Sequence, residues 1–309
     1  PDKARIRRAA EQSGAYGFVT RLERGYESVL GTWFDDGAEL SVGQWVARLE
    51  ELRRSCPPWE FPRFNCSWVG GEPLLRPELI ERCRRYFRYN TVVTNGTIPL
   101  PPWPDVNWYV SIDGDEQVHD QLRGRRGSYA RALRNVHRRG PNRVTVAYCV
   151  SRPNVGCIER VTRDWYAAGA DHITFDFYTP LEGIDDALWL PPAERDRVID
   201  VLVALRRIYG EFFIIPERVL ELMRSPRCLE VTRGCLLRRR GFALDAAGRS
   251  KGKCVMGERA DCDRCGCVVP YYLRALTDRR MIVGELARAA LRRSADAAQS
   301  LLALGEVGS

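Results

Sequence analysis

The sequence predicts an α/β protein with a parallel sheet. Segments with strand-like and helix-like patterns alternate between residues 16 and 209, and such alternation is typical of βαβ units. About six strands are predicted before residue 180, which is fewer than the eight strands of a closed barrel. After residue 216 the pattern gives way to a stretch rich in cysteine and glycine, which we interpret as a small second domain.

The predicted elements follow one another in a regular order. Short runs of β-branched and aromatic residues predict strands, and apolar residues spaced along one face predict helices. The strands cover residues 16–20, 64–69, 91–94, 106–112, 143–150 and 172–178, and the helices cover 41–51, 128–139, 154–168 and 191–209, with another entered at Pro77 and a closing helix over 281–304. We therefore predict an N-terminal segment (1–15), a strand–helix domain (16–215) and a cysteine-rich domain with the closing helix (216–309).

Composition and charge exclude several classes of function. The chain has 309 residues, none of them in an apolar run near the ~20 residues of a membrane span. No secretion-signal pattern is visible, so we expect a cytoplasmic protein. The net charge of +8 comes from dispersed arginines, because lysine occurs only at Lys3, Lys251 and Lys253. We therefore expect no nucleic-acid partner.

The eleven cysteines fall into two groups. Disulfides are rare in the cytoplasm, where clustered cysteines indicate metal or cluster ligands. Five scattered cysteines are expected to be small buried side chains, namely Cys56, Cys66, Cys83, Cys149 and Cys157. The metal-ligand candidates crowd into the last third, at Cys228, Cys235, Cys254, Cys262, Cys265 and Cys267.

Glycines and polar residues directly follow several predicted strands. Ligands of parallel α/β folds bind at the carboxyl ends of the strands, so we expect these residues to share one rim. Paired glycines let a ligand approach the backbone closely, and Glu72 adds a carboxylate that Pro73 helps to orient. The rim candidates are Gly70, Gly71, Glu72, Pro73, Thr94, Asn95, Gly96, Ser111, Asp113, Gly114 and Asp176.

Four ordered strings resemble those of radical S-adenosylmethionine (SAM) enzymes. FNCSWVGGEPLLRPEL is similar to their GGEP segment, VVTNGT to the next strand, and VSIDG followed by HDQLRGRRGSYARAL to the fourth strand and its helix. The resemblance covers roughly residues 16–180. It implies a partial (β/α)6 TIM-like barrel with a small cysteine-rich C-terminal domain. It also implies SAM and a [4Fe-4S] cluster as cofactors, and an electron donor such as flavodoxin or ferredoxin.

The resemblance assigns roles to the rim residues. Gly70, Gly71 and Glu72 would hold the methionyl amino group of SAM. Ser111 and Asp113 would lie near the ribose or the methionyl carboxylate, with which Arg123 would pair, since a guanidinium suits a carboxylate. Pro73 and Asn95 complete the expected SAM-binding set.

The sequence departs from this family at the cluster that cleaves SAM. The family has C-x3-C-x2-C after its first strand, whereas residues 16–38 contain no cysteine and place Leu22, Tyr26 and Val29 at the ligand positions of a gapless alignment. None of these side chains binds iron as a thiolate does. The loop is absent from the gene, or absent only from the printed sequence between Gly25 and Tyr26. We expect the second, because the other motifs are intact.

The last cysteines resemble an auxiliary cluster site of the same family. The stretch from Cys235 through Gly248 to Cys254 is similar to the opening of SPASM and twitch extensions, and one cluster fits its spacing better than two. The expected ligands are Cys235, Cys254, Cys262 and Cys265, with Cys267 able to replace one. Structural zinc is the rival, because thiolates bind both.

The resemblance implies an enzyme that uses a 5′-deoxyadenosyl radical to abstract hydrogen from a small molecule or a peptide. The missing thiolates support an alternative, a catalytically inactive SAM-binding or scaffold protein that keeps only the auxiliary metal site. A zinc-containing binding module is a third interpretation.

Overall fold

The computed structural model describes residues 39–56, 65–184, 186–252 and 254–277. The predicted first strand at residues 16–20 and the closing helix at residues 281–304 lie outside these ranges. None of the helices within them is both long and apolar enough to cross a membrane.

Five parallel strands form one sheet in the described chain, and their order in the sheet follows their order in the sequence. Each strand therefore pairs with the next one along the chain, and helical segments lie in three of the four connections, the exception being the one at residues 95–105. The arrangement confirms the predicted α/β class. The strands are β1 (Asn65–Trp68), β2 (Tyr89–Thr94), β3 (Val106–Ile112), β4 (Arg143–Val150) and β5 (His172–Phe177).

Four helices begin within one residue of their predicted starts, at Val42, Pro77, Ser128 and Pro192, whereas the helix predicted from residue 154 begins at Ile158 and those that begin at Glu116, Glu217, Arg227, Leu237 and Val269 were not predicted. Ser41 caps the first helix, because its Oγ accepts the N–H of Gln44 while the Gln44 side chain accepts the N–H of Ser41, a capping box. The helices are α1 (Val42–Ser55), α2 (Pro77–Cys83), α3 (Glu116–Leu122), α4 (Ser128–His137), α5 (Ile158–Ala167), α6 (Pro192–Tyr209), α7 (Glu217–Leu222), α8 (Arg227–Arg233), α9 (Leu237–Arg240) and α10 (Val269–Thr277).

Alternate residues of the strands lie in two different environments. One set is fully buried, as Val110, Val146 and Ile173 show, and forms the core with the helices. Many residues of the other set are only half-buried, and we call the side of the sheet on which they lie the concave face, as in a partial barrel. They include Val93, Tyr109, Ser111, Ala147, Cys149 and Asp176.

The sheet extends one step beyond β5. Ile173 pairs with Phe213 in a single parallel bridge, and the N–H of Ile214 donates to the carbonyl of Ile173 at 3.2 Å. This bridge occupies the position of a sixth strand. Val219 and Leu220 of α7 belong to the same hydrophobic core as the sheet, so α7 packs on the strand–helix body. The boundary at residue 216 stays a prediction.

The segment that contains the last cysteines docks on the carboxyl end of β5. The N–H of Phe177 donates to the carbonyl of Gly266 at 2.9 Å, and the N–H of Gly266 donates to Thr179 Oγ1 at 2.8 Å. The N–H of Val268 donates to Asp176 Oδ1 at 2.7 Å. A Cβ on Gly266 would lie only 2.0 Å from the carbonyl oxygen of Phe177, so only glycine fits.

We predict that Gly266→Ala destabilises the protein by about 1–3 kcal/mol, the usual range for a forced steric overlap. The extra methyl group must push the segment away from β5. The matched control is Gly156→Ala, because a Cβ there meets no atom within 4 Å. We expect the control to stay within about 0.5 kcal/mol of the wild type. Denaturant unfolding of both variants measures the difference, and equal stabilities would contradict this packing.

Candidate functional site

Glu72 joins the ends of β1 and β2. Its Oε1 accepts the N–H of Leu74 at 3.0 Å and the hydroxyl of Thr94 at 2.8 Å, and its Oε2 accepts the N–H of Asn95 at 2.8 Å. A carboxylate has about four acceptor positions, so one remains for a further donor. The two strand ends are thereby held together at the rim.

The glycines next to Glu72 leave the backbone open. Gly70 has a φ of +146°, and a Cβ there would meet nothing within 4 Å. Gly71 is exposed as well. Pro73 begins a 3-10 turn over Pro73–Leu75 whose N-cap is Glu72, which fixes the direction of the carboxylate. This part of the rim can accept a ligand against the main chain.

The side chain of Asn95 forms hydrogen bonds within its own loop. Its Oδ1 accepts the N–H and the hydroxyl of Thr97 at 2.8 and 2.7 Å, a local arrangement that stabilises turns. Ser111 lies on the concave face, half-buried and paired in register with Ala147. Both residues are therefore at the predicted rim, and their role in SAM binding stays a prediction.

Asp113 is held from three directions just after β3. Its N–H donates to His119 Nδ1 at 3.0 Å, its carbonyl accepts Asn154 Nδ2 at 3.0 Å, and its carboxylate forms an ion pair with Arg123. Asn154 is itself fully buried. The bond to Arg123 uses Nε, which leaves the terminal nitrogens of a guanidinium fork for a second carboxylate. The predicted pairing of Arg123 with SAM stays a prediction.

His119 and Asp120 explain why the HD string precedes Arg123. His119 is 1% exposed, and its burial lowers its pKa to about 4, so the ring is neutral and Nδ1 can accept the N–H of Asp113. Asp120 accepts hydrogen bonds from the N–H of Gly127, the hydroxyl of Ser128 and the N–H of Tyr129. It therefore caps α4. The sequence did not predict that His119 accepts the N–H of Asp113 or that Asp120 caps α4, although the HD string that contains both residues is part of the resemblance.

The five predicted auxiliary ligands line one cavity. It lies between the docked segment and the region around α8 and α9, and Thr179, Arg238 and Pro270 contribute to its wall. Cys228 is buried in α8 and does not line this cavity. The cysteines that do are Cys235, Cys254, Cys262, Cys265 and Cys267.

The thiols of this cavity influence one another. Burial raises the pKa of Cys265 to about 11, and the neighbouring Cys262 and Cys235 contribute to the rise. Burial also raises the pKa of Cys267, with further contributions from Asp176 and Cys265. Within the ranges that the structure describes, no three His, Cys, Asp or Glu side chains are arranged around a single metal ion. The wall of this cavity nevertheless carries five cysteine sulfurs, and cysteine sulfur is the donor atom that iron–sulfur clusters and structural zinc use.

The concave face and the cysteine cavity meet at Asp176. This residue pairs in register with Cys149 and binds the N–H of Val268 one residue beyond Cys267. Burial raises the pKa of Asp176 to about 6.

Of the scattered cysteines, Cys83 and Cys157 are buried as predicted, and the other three are half-buried. The ligand positions Leu22, Tyr26 and Val29 lie outside the described residues.

Comparison with known proteins identifies the class of this fold. No protein-family model matches the chain, and no curated protein matches its sequence. The solved structure of native anSMEcpe with bound AdoMet is 16% identical, with a TM-score of 0.53 over 72% of this chain and 67% of that one. The same enzyme with bound AdoMet and the Cp18Cys peptide gives 16% identity and a TM-score of 0.51 over 72% and 68%.

A third structure is more distant. Streptococcus suis SuiB bound to S-adenosylmethionine is 13% identical, with a TM-score of 0.45 over 55% of this chain and 42% of that one. The two anSMEcpe structures, whose TM-scores exceed 0.5, are those of a radical SAM enzyme. The chain therefore has the partial TIM-like barrel fold of radical SAM enzymes, as its motifs predict. At such low identity the likeness establishes the fold alone.

We predict that Asp120→Asn lowers the free energy of unfolding by about 1–3 kcal/mol at pH 7, the range for hydrogen bonds to a charged group. Burial opposes ionisation of Asp120, but its three hydrogen bonds lower its pKa overall. A carboxyl whose pKa is lower in the folded state stabilises the protein above its unfolded pKa. The difference between variant and wild type should therefore shrink below about pH 4.

The matched control is Asp164→Asn on α5. Asp164 is exposed, and among the described residues its carboxylate forms an ion pair with its neighbour Arg163; such exposed pairs contribute little. Urea titrations at pH 7 and at decreasing pH measure the stabilities. A loss at Asp120 that is the same at every pH would contradict the capping role of its carboxylate.

Proposed function

We propose that this chain binds SAM at the rim of its partial barrel and performs radical SAM chemistry with the help of its cysteine-lined cavity. The observation that supports the proposal most directly is the shared edge at which Gly70, Gly71, Glu72, Asp113 and Arg123 lie. The fold is that of anSMEcpe with bound AdoMet. Each rim group has an unused capacity that SAM would satisfy.

The rim groups match the functional groups of SAM one by one. The open backbone at Gly70 and Gly71 admits the methionyl part, and the free acceptor position of Glu72 suits its ammonium group. The terminal nitrogens of Arg123 suit the methionyl carboxylate in a forked contact. Asp113, already held in place, can accept hydrogen bonds from ribose hydroxyls. Ser111, Pro73 and Asn95 shape the surrounding rim.

The cysteine cavity would hold one auxiliary iron–sulfur cluster. Four thiolates bind such a cluster, and the cavity offers five, so Cys267 can replace one of Cys235, Cys254, Cys262 and Cys265. When bound, the cluster supplies one-electron chemistry or a binding position for substrate. Zinc is the alternative occupant, because the same donors suit it. The chain itself would contribute the thiolates.

The proposed reaction is hydrogen abstraction from an unreactive carbon of a small molecule or a peptide. A peptide is supported by anSMEcpe, whose structure contains a bound peptide. The half-buried concave face, with Tyr109, Ser111 and Cys149, would border the substrate and keep water away. A flavodoxin or ferredoxin would be the electron donor.

One feature of the sequence favours a second candidate function. Residues 1–55 contain no cysteine, so the chain as printed does not fit the SAM-cleaving cluster of its fold. A chain of this kind would be a SAM-binding or scaffold protein that keeps only the auxiliary metal site. Sequencing the gene between Gly25 and Tyr26 separates the two candidates.

We predict that Glu72→Gln weakens SAM binding at least tenfold, because a neutral amide loses the charge that attracts the ammonium group. Equilibrium dialysis with SAM measures the affinity. Glu78→Gln is the control, since Glu78 is exposed on α2 and pairs with Arg76. Unchanged affinity of Glu72→Gln, or an equal loss in both variants, would show that the rim does not bind SAM in this way.

The activity is tested separately on the full chain. The protein is reconstituted anaerobically with iron and sulfide and mixed with SAM and a reductant. The proposed enzyme forms 5′-deoxyadenosine. Tight SAM binding without this product supports the scaffold function instead.

We predict that a double substitution, Cys262→Ala with Cys265→Ala, removes most of the bound metal, because it deletes two of the cavity's sulfur donors. Cys228→Ala is the control, since Cys228 lies outside the cavity wall and should leave the metal content unchanged. Metal analysis and assay of acid-labile sulfide provide the measurement. Iron with sulfide supports a cluster, whereas zinc without sulfide supports the alternative occupant. Unchanged metal in the double variant would contradict the site.

A further inference from the structure

Arg195 is a buried arginine that contacts the backbone of one cysteine in the cavity wall. It lies in the first turns of α6 and is 5% exposed. Both of its terminal nitrogens donate to the carbonyl oxygen of Cys265 at 3.2 Å. The guanidinium thus binds the backbone of Cys265, one of the cysteines in the cavity wall, through two hydrogen bonds.

The charge of Arg195 has no counter-charge in the described part of the chain. No carboxylate there forms an ion pair with it, and its Nε has no hydrogen-bond partner. Its guanidinium carbon lies 4.6 Å from the centre of the Phe177 ring, a contact that compensates only part of the lost hydration. Its place near the amino end of α6 is also unfavourable, because the helix dipole is positive there.

Other arginines of the same region are neutralised. Arg264 binds Asp261 at 2.6 Å, and Arg224 binds Glu221 and Asp200 at 2.9 and 2.8 Å. A buried charge without a partner is strongly unfavourable. Arg195 therefore stands out as a buried cation that lacks an anion.

The cavity beyond Cys265 is where an anion would form. Metal binding requires deprotonated cysteines, and several thiolates around one metal group give it a net negative charge. Resting on the function proposed above, we propose that Arg195 is the positioning residue and counter-cation of the metal group in the cysteine cavity. Its two hydrogen bonds orient the segment that contains Cys265, and its charge balances the thiolates.

This role has a thermodynamic consequence that a purely structural contact lacks. Reduction adds negative charge to the metal group, and a buried cation nearby favours the reduced form. Removing the charge of Arg195 should therefore make the group harder to reduce. A retained charge at the same place should keep the potential unchanged.

The test compares three variants of the full, metal-loaded chain. Arg195→Gln removes the charge but keeps an N–H donor, and Arg195→Lys keeps the charge. Arg197→Gln removes an equal charge from an exposed position of the same helix, and residues two positions apart lie on different faces of a helix. Two readouts are measured for each variant: the rate at which a chelator removes the metal, and the midpoint potential from a redox titration followed by electron paramagnetic resonance.

We expect Arg195→Gln to lose metal at least tenfold faster than the wild type. Its equilibrium constant for one-electron reduction should fall about tenfold, which corresponds to about 59 mV. Arg195→Lys should keep the potential of the wild type, and Arg197→Gln should match the wild type in both readouts. Unchanged readouts in Arg195→Gln, or equal shifts in Arg195→Gln and Arg195→Lys, would overturn the role as counter-cation.

Two further measurements test the role of Arg195 if the main comparison fails. If Arg195→Gln does not fold, Arg195→Lys decides alone, since a tenfold change in its reduction equilibrium would refute the proposal. The chelator assay also works with zinc and without SAM, so a chain that forms no 5′-deoxyadenosine can still support or refute the role of Arg195. The proposed function and this inference can therefore fail independently.

Discussion

The contact between Gly266 and the carbonyl of Phe177 determines how the two functional regions of this chain meet. A glycine without a side chain allows the cysteine segment to lie directly on the end of β5. The hydrogen bonds that the N–H groups of Gly266 and Val268 donate to Thr179 and Asp176 then fix the direction of the segment. The cysteine cavity consequently lies next to the carboxyl end of β5.

Buried polar groups at this edge are satisfied mainly by backbone atoms. Asp176 binds the N–H of Val268, Arg195 binds the carbonyl of Cys265, and Trp189 Nε1 donates to the carbonyl of Arg264 at 3.3 Å. Side chains of the barrel thus recognise the main chain of the cysteine segment. Because backbone atoms are common to all residues, this interface constrains the path of the segment more than its sequence, apart from Gly266 and the cysteines.

The sequence predicted the five described strands well because their signals are local, whereas the role of the clustered cysteines as metal ligands stays a prediction. The strands at 106–112 and 143–150 have the predicted bounds, since alternation of apolar residues marks both ends. Contacts distant in sequence gave no such signal. Three features depend on how separate elements pack, and sequence periodicity does not encode such packing. They are the hydrogen bonds that Asp120 accepts from residues 127–129, the burial of His119, and the hydrogen bonds from Arg195 to the carbonyl of Cys265. The 3-10 turn before α5 likewise replaces the first turn of a predicted helix.

Asp113 illustrates what the network at the rim does for a ligand. Its amide, carbonyl and carboxylate are each bound by a different partner, on α3, in the loop after β4 and directly after α3. A residue fixed in this way loses little conformational entropy when a ligand arrives. Because His119 is neutral at any pH well above 4, the support stays intact across the physiological range. The rim is thus preorganised, and its affinity for a ligand should depend on the ligand's own flexibility more than on that of the protein.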